Sequence, residues 1–475
     1  MIVEGCYPYV VGGVSSWVHA MIKSFPEHEF IVQTIIANRS IRGEFLYELP
    51  ENVSEVREIY LDDYDYVGAM DFKSKRLLKL HSRSLSVNGR KALHSLFEGN
   101  LVDFKNLFEI FQKEHFSIDD VLMGQDFFAL AKSFYQRNYP EIVFTDFLWT
   151  LRSIYLPLFF TLRNTPPKAD VYHCISTGYA GVFGAMGKHM YPKSKLMISE
   201  HGIYTREREE ELIKATWVKG VYKNIWIQQF HKLSFYAYQN ADIVTCLFQA
   251  AKELQVELGC PQEKIEITPN GIDMTAFADI PRKKEQEAAI YIGAVLRVTP
   301  IKDVKTMLMA YHYAKKQDDR LRLWIMGSCD EQLEYYEECK QLVHQMKIKD
   351  VTFTGRIQVH DYLGKMDMSI LTSISEGQPL TILESFAAHV PVIATNVGNC
   401  KGMILGEEAQ DQAAGIITPI MDVNAISEAI LTLAKDEDLR KAMGEIGYCR
   451  VKKRYQLKNL IQTYDELYRR LGGDS

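Results

Sequence analysis

The chain has 475 residues, of which 47% are hydrophobic and 24% charged, and its formal net charge is −6 at pH 7. That length exceeds one ordinary hydrophobic core, so two domains are expected, and the acidic balance gives no support for a nucleic-acid surface. The eight cysteines are scattered, with no C-x-x-C pair and no His-rich partner segment, which points to reduced, buried thiols in a cytoplasmic protein rather than a metal or redox motif.

In chain order, Ile2-Val3-Glu4 reads as a short first strand leading through Gly12-Gly13 into a helix over residues 15–22, then a strand over 29–37. Residues 63–165 carry helical periodicity and many aromatics, and read as a helical insertion. The apolar stretch 154–160 is far below the ~20 residues that span a bilayer. The N-terminus has no basic region, so no signal peptide is expected. Strands return at 170–173, 196–199 and 243–245, with a long helix of charges and aromatics over 206–238. These segments make an N-terminal domain of residues 1–280.

The charged stretch from Pro281 to Glu287 reads as a linker and hinge. Beyond it, β-rich runs at 290–295, 321–326, 351–353, 369–372, 392–395 and 415–417 alternate with helical patterns at 304–316 and 332–346. Such alternation means parallel strands joined by crossover helices. The fold class is therefore α/β, with two Rossmann-like parallel-sheet domains, the second over 288–455, and a final helix over 456–475. A ligand is expected in a cleft at the carboxyl ends of the strands.

Glu376 and Glu384 stand eight positions apart around the turn Gly377-Gln378-Pro379, after an apolar strand. Pro379 suits the first position of a helix, which puts Glu384 about a turn and a half inside it. Gly377 lets the backbone approach a ligand closely. Upstream, Arg297 and Lys302 follow another strand at a helix entry, where a helix N-terminus adds N–H donors and positive dipole. Each pair alone has a plain reading, as solvated cations in a loop or as a capped helix with an exposed glutamate. Together they read as an apparatus for a nucleotide diphosphate-sugar. Arg297 and Lys302, with Leu380 and Thr381, address the diphosphate, Glu384 the ribose, and Glu376, Gly377 and Gln378 the sugar.

His201, in Ser199-Glu200-His201-Gly202 after a strand, is a candidate to donate to a sugar hydroxyl or to developing negative charge. His173 has a similar address and a weaker case. Gly12 and Gly13 permit close approach of a ligand beside a helix N-terminus. There is no G-x-G-x-x-G followed by an acidic residue after the next strand, and no G-x-x-x-x-G-K-[ST]. A dinucleotide oxidoreductase and a P-loop kinase thus lose their main support. Asp63-Tyr64-Asp65 lies in an acidic, tyrosine-rich stretch and reads as a solvated loop, so no metal site is expected.

The ordered set of Gly12-Gly13, His201-Gly202, Pro269-Asn270-Gly271-Ile272-Asp273, Arg297 with Lys302, and Glu376 with Glu384 resembles family 4 of the retaining glycosyltransferases. The likeness is dense from about residue 170 to 451. The start of the chain, the stretch Glu200-His201-Gly202-Ile203-Tyr204-Thr205-Arg206-Glu207-Arg208 and the insertion resemble members that act in exopolysaccharide synthesis, although the first strand is shorter than theirs. The resemblance implies the two-domain GT-B fold and retaining transfer of a hexose or N-acetylhexosamine from a UDP-sugar to a polysaccharide acceptor. It further implies same-face attack without a metal or other cofactor, and a final helix crossing back to the N-terminal domain. The expected place of work is the cytoplasm, at the inner face of the membrane through synthase-complex subunits. Two rival readings share the diphosphate site: a sugar-nucleotide epimerase or hydrolase, and a non-catalytic nucleotide-sugar-binding subunit.

Overall fold

The computed structural model describes residues 1–62, 83–99, 101–218, 220–281 and 288–472. The chain divides into two compact units, Met1–Ile267 with Asp465–Ser475, and Thr268–Tyr464. Asp63-Tyr64-Asp65 and the stretch 282–287 lie outside the described residues.

The first unit is a parallel sheet of β1 (Ile2–Glu4), β2 (Phe30–Ile36), β3 (Val53–Tyr60), β4 (Val171–Cys174), β5 (Lys195–Ser199), β6 (Ile243–Cys246) and β7 (Ile265–Ile267). Its order is β3-β2-β1-β4-β5-β6-β7. The central strands are short, near-continuous apolar runs, as burial on both faces requires. β3 and β7 escape the sequence reading for opposite reasons. β3, at the sheet edge, carries Glu55, Arg57 and Glu58 among its apolar residues and so breaks the apolar run, and β7 is three residues long.

The described part of the insertion is five helices, Val87–Glu98, Phe104–Gln112, Ile118–Leu122, Gln125–Asn138 and Phe144–Arg163. Ser86, Asp103 and Ser117 cap the first three by accepting backbone N–H groups. Their core is aromatic, with Phe104, Phe127, Phe147 and Phe159 fully buried. The single long helix expected over 206–238 is instead two, Tyr204–Lys214 and Val221–Asn240. The first ends at Ala215, whose ψ of 132° is extended, and the second begins after Gly220, whose φ is +52°.

The second unit is a parallel sheet of β8 (Ile290–Val295), β9 (Leu321–Met326), β10 (Val351–Gly355), β11 (Met368–Leu371), β12 (Val392–Thr395) and β13 (Gly415–Thr418), in the order β10-β9-β8-β11-β12-β13. Alternate residues of each strand serve two cores. Ile292, Ile325 and Ile370 pack with Met307, Tyr311 and Ile430 of the helices Val304–Gln317 and Val423–Lys435. Met326, Leu371 and Val392 pack with Phe386, Met403 and Val451 of the helices Leu380–Ala387, Cys400–Leu405 and Glu437–Arg454. Six of the eight free cysteines are buried, while Cys6 is half-buried and Cys449 exposed. No helix of the described residues is long and apolar enough to cross a membrane.

His173 lies inside β4 rather than at its end, and is 2% exposed. Its ring nitrogens hydrogen-bond Ser199 Oγ at 2.8 Å and the hydroxyl of Tyr468 at 2.7 Å, within the first unit. It is a satisfied core histidine, and its candidacy as a site residue ends here.

Arg450 is buried and donates to the carbonyls of Met403, Ile404 and Gln412, tying the end of the helix Cys400–Leu405 to the approach of β13. Truncation to alanine strands these acceptors. Arg450→Ala is expected to lower the stability of the second unit by about 3 kcal/mol, read from the urea-unfolding midpoint; an unchanged midpoint would refute the role.

Candidate functional site

Each sheet reverses its strand order once, between β1 and β4 in the first unit and between β8 and β11 in the second. Loops leaving two such neighbours diverge, and ligands of open parallel sheets settle outside the carboxyl ends of those strands. Most of the sequence-predicted residues lie just beyond one of these reversals.

In the second unit, the turn Pro300–Lys302 after β8 is clamped to the loop after β11. Ile374 N–H donates to the Ile301 carbonyl at 2.8 Å, and the Thr372 hydroxyl donates to the carbonyls of Lys302 and Asp303 at 3.0 and 3.1 Å. The clamp sets Lys302 Nζ 2.5 Å from Glu376 Oε1, with side chains only 18% and 10% exposed. The Ser373 hydroxyl donates to the same oxygen at 2.5 Å. Asp303, left-handed at φ +46°, caps the helix Val304–Gln317 through Thr306 N–H.

The loop after β12 closes over this arrangement. Gly398 has φ +51°, and a side chain there would collide with the carbonyls of Glu376 and Gly377. Its neighbour Asn399 donates its N–H to the Gly377 carbonyl at 2.8 Å. Gln378 is buried and accepts the Asn270 N–H at 2.6 Å. Gln378 Nε2, Asn399 Nδ2, Thr299 Oγ1 and Asp303 Oδ2 are buried with no hydrogen-bond partner among the described residues. Four unmet polar atoms around one ion pair mark a place built for a polar ligand or ordered water.

Pro379 caps the helix Leu380–Ala387 and does not start it, because its ψ of 119° is extended. Leu380 and Thr381 are thus the first two helical residues, and Glu384 is the fifth. Burial raises the Glu384 pKa, and His360 partly offsets this. Arg297 stands apart from the clamp. It is 59% exposed and pairs with Glu331 at 2.9 Å. Such a surface pair is worth about 0–1 kcal/mol, so the guanidinium can be redirected at little cost.

In the first unit, a cavity of about 410 Å³ opens at the β1–β4 reversal, lined by Glu4, Ser176, Tyr179, His201, Tyr204 and Glu207 among others. Glu4 accepts the Tyr179 N–H at 3.0 Å at the N-terminus of the helix Tyr179–Met190, and the Tyr204 hydroxyl at 3.0 Å. Burial pushes its pKa up, and these hydrogen bonds pull it back. His201 sits edge-on to Trp17 at 4.5 Å between ring centroids. Its Nε2 is buried without a partner among the described residues, and burial lowers its pKa to about 4, so the ring is neutral at pH 7. Gly12 caps the helix Gly13–Ser24 with an extended φ, and a side chain at Gly12 or Gly13 would meet open space. The fold itself does not demand glycine at either position.

Lys302 and Glu376 therefore form one ion pair, the adjoining Gly377 and Gln378 are held by Asn399 and Asn270, and His201 lines the cavity of the first unit. Sequence reasoning assigned no role to Glu4, Ser373, Tyr204 or Asn399. Glu4 did leave a signal, as a lone carboxylate ending an apolar strand before Gly5, and Asn270 lay in a motif noted without a role.

Residues 1–263 match the family model described as a domain of unknown function (DUF3492), and residues 275–450 match that of the glycosyl transferases group 1. N-acetyl-alpha-D-glucosaminyl L-malate synthase of Bacillus anthracis is 25% identical over 48% of this chain and 60% of its own length. The putative colanic acid biosynthesis glycosyltransferase WcaL of Escherichia coli K12 is 23% identical over 57% of this chain and 63% of its own. The chain thus spans about three-fifths of the length of these curated relatives. Anabaena HepE, solved in complex with UDP and glucose, superposes with a TM-score of 0.57 at 13% identity, over 98% of this chain and 99% of that one. This likeness shows the fold, two Rossmann-like parallel-sheet domains of the GT-B class.

Because Lys302 and Glu376 share so little solvent, Lys302→Ala leaves a carboxylate without its cation. It is expected to cost about 3 kcal/mol, the low end for breaking a buried pair, and Lys302→Met/Glu376→Gln should recover part of that loss. Equal urea midpoints for Lys302→Ala and the parent chain would show that the pair does not form in solution.

Proposed function

The chain belongs to the DUF3492 family, and we propose that it is a retaining glycosyltransferase that moves a hexose or N-acetylhexosamine from a UDP-sugar to a growing exopolysaccharide. One observation carries the reading. Lys302 pairs with Glu376 at the strand reversal of the second sheet, and the Gly377-Gln378 turn leads from Glu376 to a helix N-terminus. The glycosyl transferases group 1 match covers these residues.

In this reading Lys302 and a redirected Arg297 hold the diphosphate, helped by the first-turn N–H groups of Leu380 and Thr381. Glu384 accepts the ribose hydroxyls, and Glu376, Gly377 and Gln378 address the sugar. Neutral His201 offers its unpaired Nε2 to a sugar hydroxyl, and Gly12 and Gly13 let the backbone come close to the ligand. The bond between the anomeric carbon and the UDP oxygen breaks, and the acceptor oxygen bonds to the same face. The departing phosphate oxygen takes the acceptor's proton. The cations stabilise the UDP that leaves, so the reaction needs no metal.

The exopolysaccharide assignment rests on the start of the chain, Glu4-Gly5-Cys6-Tyr7-Pro8-Tyr9-Val10-Val11-Gly12-Gly13, and on Glu200 to Arg208. Both look like PelF, the glycosyltransferase of Pel exopolysaccharide synthesis. Under this assignment the protein acts at the inner face of the cell membrane, with subunits of a synthase complex as partners.

Arg297→Ala and Lys302→Ala are each expected to weaken UDP binding by about 1.5–3 kcal/mol in calorimetry, and unchanged affinity in both would remove the diphosphate assignment. Glu384→Ala should weaken UDP binding, whereas Glu376→Gln should lower turnover and spare UDP affinity. The reverse pattern would mean that the loop is oriented the other way. UDP release from a UDP-sugar with acceptor should persist in excess EDTA, and a loss that Mg²⁺ or Mn²⁺ restores would overturn the metal-free reading.

A further inference from the structure

The cavity of the first unit is built by three strand exits and one helix. Glu4 ends β1, Ser176 follows β4 and His201 follows β5, while Tyr204, Glu207 and Arg208 come from the helix Tyr204–Lys214. Two glycines let that helix lie close to the strand ends. A side chain at Gly178 would collide with the Tyr204 ring, and one at Gly202 with the Glu207 carboxyl. Ile35, Ile175 and Phe230, all buried, give the cavity an apolar side. Three polar atoms of lining residues, Ser176 Oγ, His201 Nε2 and Arg208 Nε, are buried with no hydrogen-bond partner among the described residues. Arg208 is anchored from its other end, its Nη2 donating to Glu211 at 2.8 Å. Unmet buried polar atoms are costly to a fold, and three around one cavity mark it as a place where a polar ligand pairs them.

We propose that this cavity holds the terminal sugar of the acceptor, an uncharged pyranose, with Ser176, His201 and Arg208 pairing its oxygens and Glu4 and Glu207 taking its hydroxyl hydrogens. The inference rests on the reading of the chain as a polysaccharide transferase, and gives Glu4, Ser176, Glu207 and Arg208 roles that the reading leaves open. Donor–acceptor matching carries the choice of ligand. Arg208 Nε only donates, the Ser176 hydroxyl does both, and Nε2 of a neutral His201 does either, according to its tautomer. An ionised Glu4 or Glu207 only accepts. A sugar hydroxyl donates and accepts, so a ring bearing several can meet all five groups while its C–H face lies on the apolar side. A volume of about 410 Å³ is within the range of small-molecule sites.

Protonation narrows the class further. Burial raises the pKa of Glu4 and, with Arg208 opposing it, brings that of Glu207 to about 7. Glu207 is thus about half ionised at pH 7, and its protonated form donates as well as accepts. Hydroxyls suit both forms. A uronate or phosphate group brings acceptors alone, and among the lining residues it would find one cation, Arg208, beside two carboxyls. The raised pKa values weaken the repulsion from those carboxyls without abolishing it. An ammonium group brings donors alone, and would leave Arg208 Nε unmet beside a like charge. Trapped water can also satisfy such atoms, and that is the outcome the experiment must separate from a sugar.

The test uses the full chain without UDP and the methyl glycosides of glucose, galactose, N-acetylglucosamine and N-acetylgalactosamine. The methyl glycosides of galacturonate and galactosamine serve as charged probes, and binding is followed by saturation-transfer NMR and calorimetry. The parent protein should bind at least one neutral glycoside, and each charged probe about tenfold or more weakly than that one. Ser176→Ala and Glu207→Ala should each lose about fivefold in this affinity, and Glu207→Gln should recover most of the loss, because an amide also donates and accepts. All three variants should keep the parent's affinity for UDP. Ser176 Oγ has no partner to lose, so Ser176→Ala should keep or raise the urea midpoint, whereas a structural role would lower it. No binding of any neutral glycoside would leave the cavity to water and overturn the proposal. Equal or tighter binding of a charged probe, or parent affinity in both alanine variants, would overturn it as well. UDP binding without glycoside binding sinks this inference alone, and glycoside binding without UDP binding sinks the UDP-sugar reading alone.

Discussion

In each sheet the chain winds outward from the central strand on one side and then returns to build the other, and this reversal decides where chemistry can occur. The loops after β8 and β11 leave neighbouring strands and must part. In the second unit the resulting gap is bridged by polar contacts rather than apolar packing. Thr372, Ile374 and Ser373 tie the two loops together, and Lys302 meets Glu376 as a consequence. An ion pair with so little solvent is poor value for stability alone, since apolar residues of similar volume hold such a position as well or better. Its place at the strand reversal, beside the loop after β11, is what draws attention to the pair.

The interior strands were legible in the sequence because they had little choice. The runs 290–295, 321–326 and 392–395 are mainly apolar, broken by Arg322 and ending on Thr395, and the folded strands have those same limits. The edge strands of the first sheet, β3 and β7, had more freedom and were missed, as was the break between Lys214 and Val221 in a pattern that reads as continuous. Lys302 and Glu376 both stood out in the sequence as candidates, but not as each other's partner. They are 74 residues apart, and only the adjacency of β8 and β11 joins them. Strand order is a property of the assembled sheet and leaves no trace in local periodicity.

Three carboxylates show how the same chemical problem is solved with different consequences. Glu200 is buried and takes hydrogen bonds from Thr177, Tyr238, Gln255 and the Tyr204 N–H. That set comes close to filling the acceptor sites of a carboxylate, so Glu200 anchors the stretch around His201 and has little capacity for a ligand. Glu4 is held by a helix N-terminus and one tyrosine, beside a cavity. Its position is set, and a wall of open space lies next to it.

Glu376 is the third case. Lys302 and Ser373 both engage the same oxygen, Oε1. One oxygen thus fixes the carboxylate, and the other is the natural acceptor for a sugar hydroxyl in the proposed reading. The division also resolves an apparent conflict, that a lysine meant for phosphate is already paired. An ammonium carries three N–H donors in different directions, so Lys302 can hold Glu376 with one and present the others to a diphosphate. Arg297 needs no such sharing, because its surface pair with Glu331 costs little to exchange. The buried cation organises the site and the exposed one is free to move, a division of labour that follows from their solvent exposure.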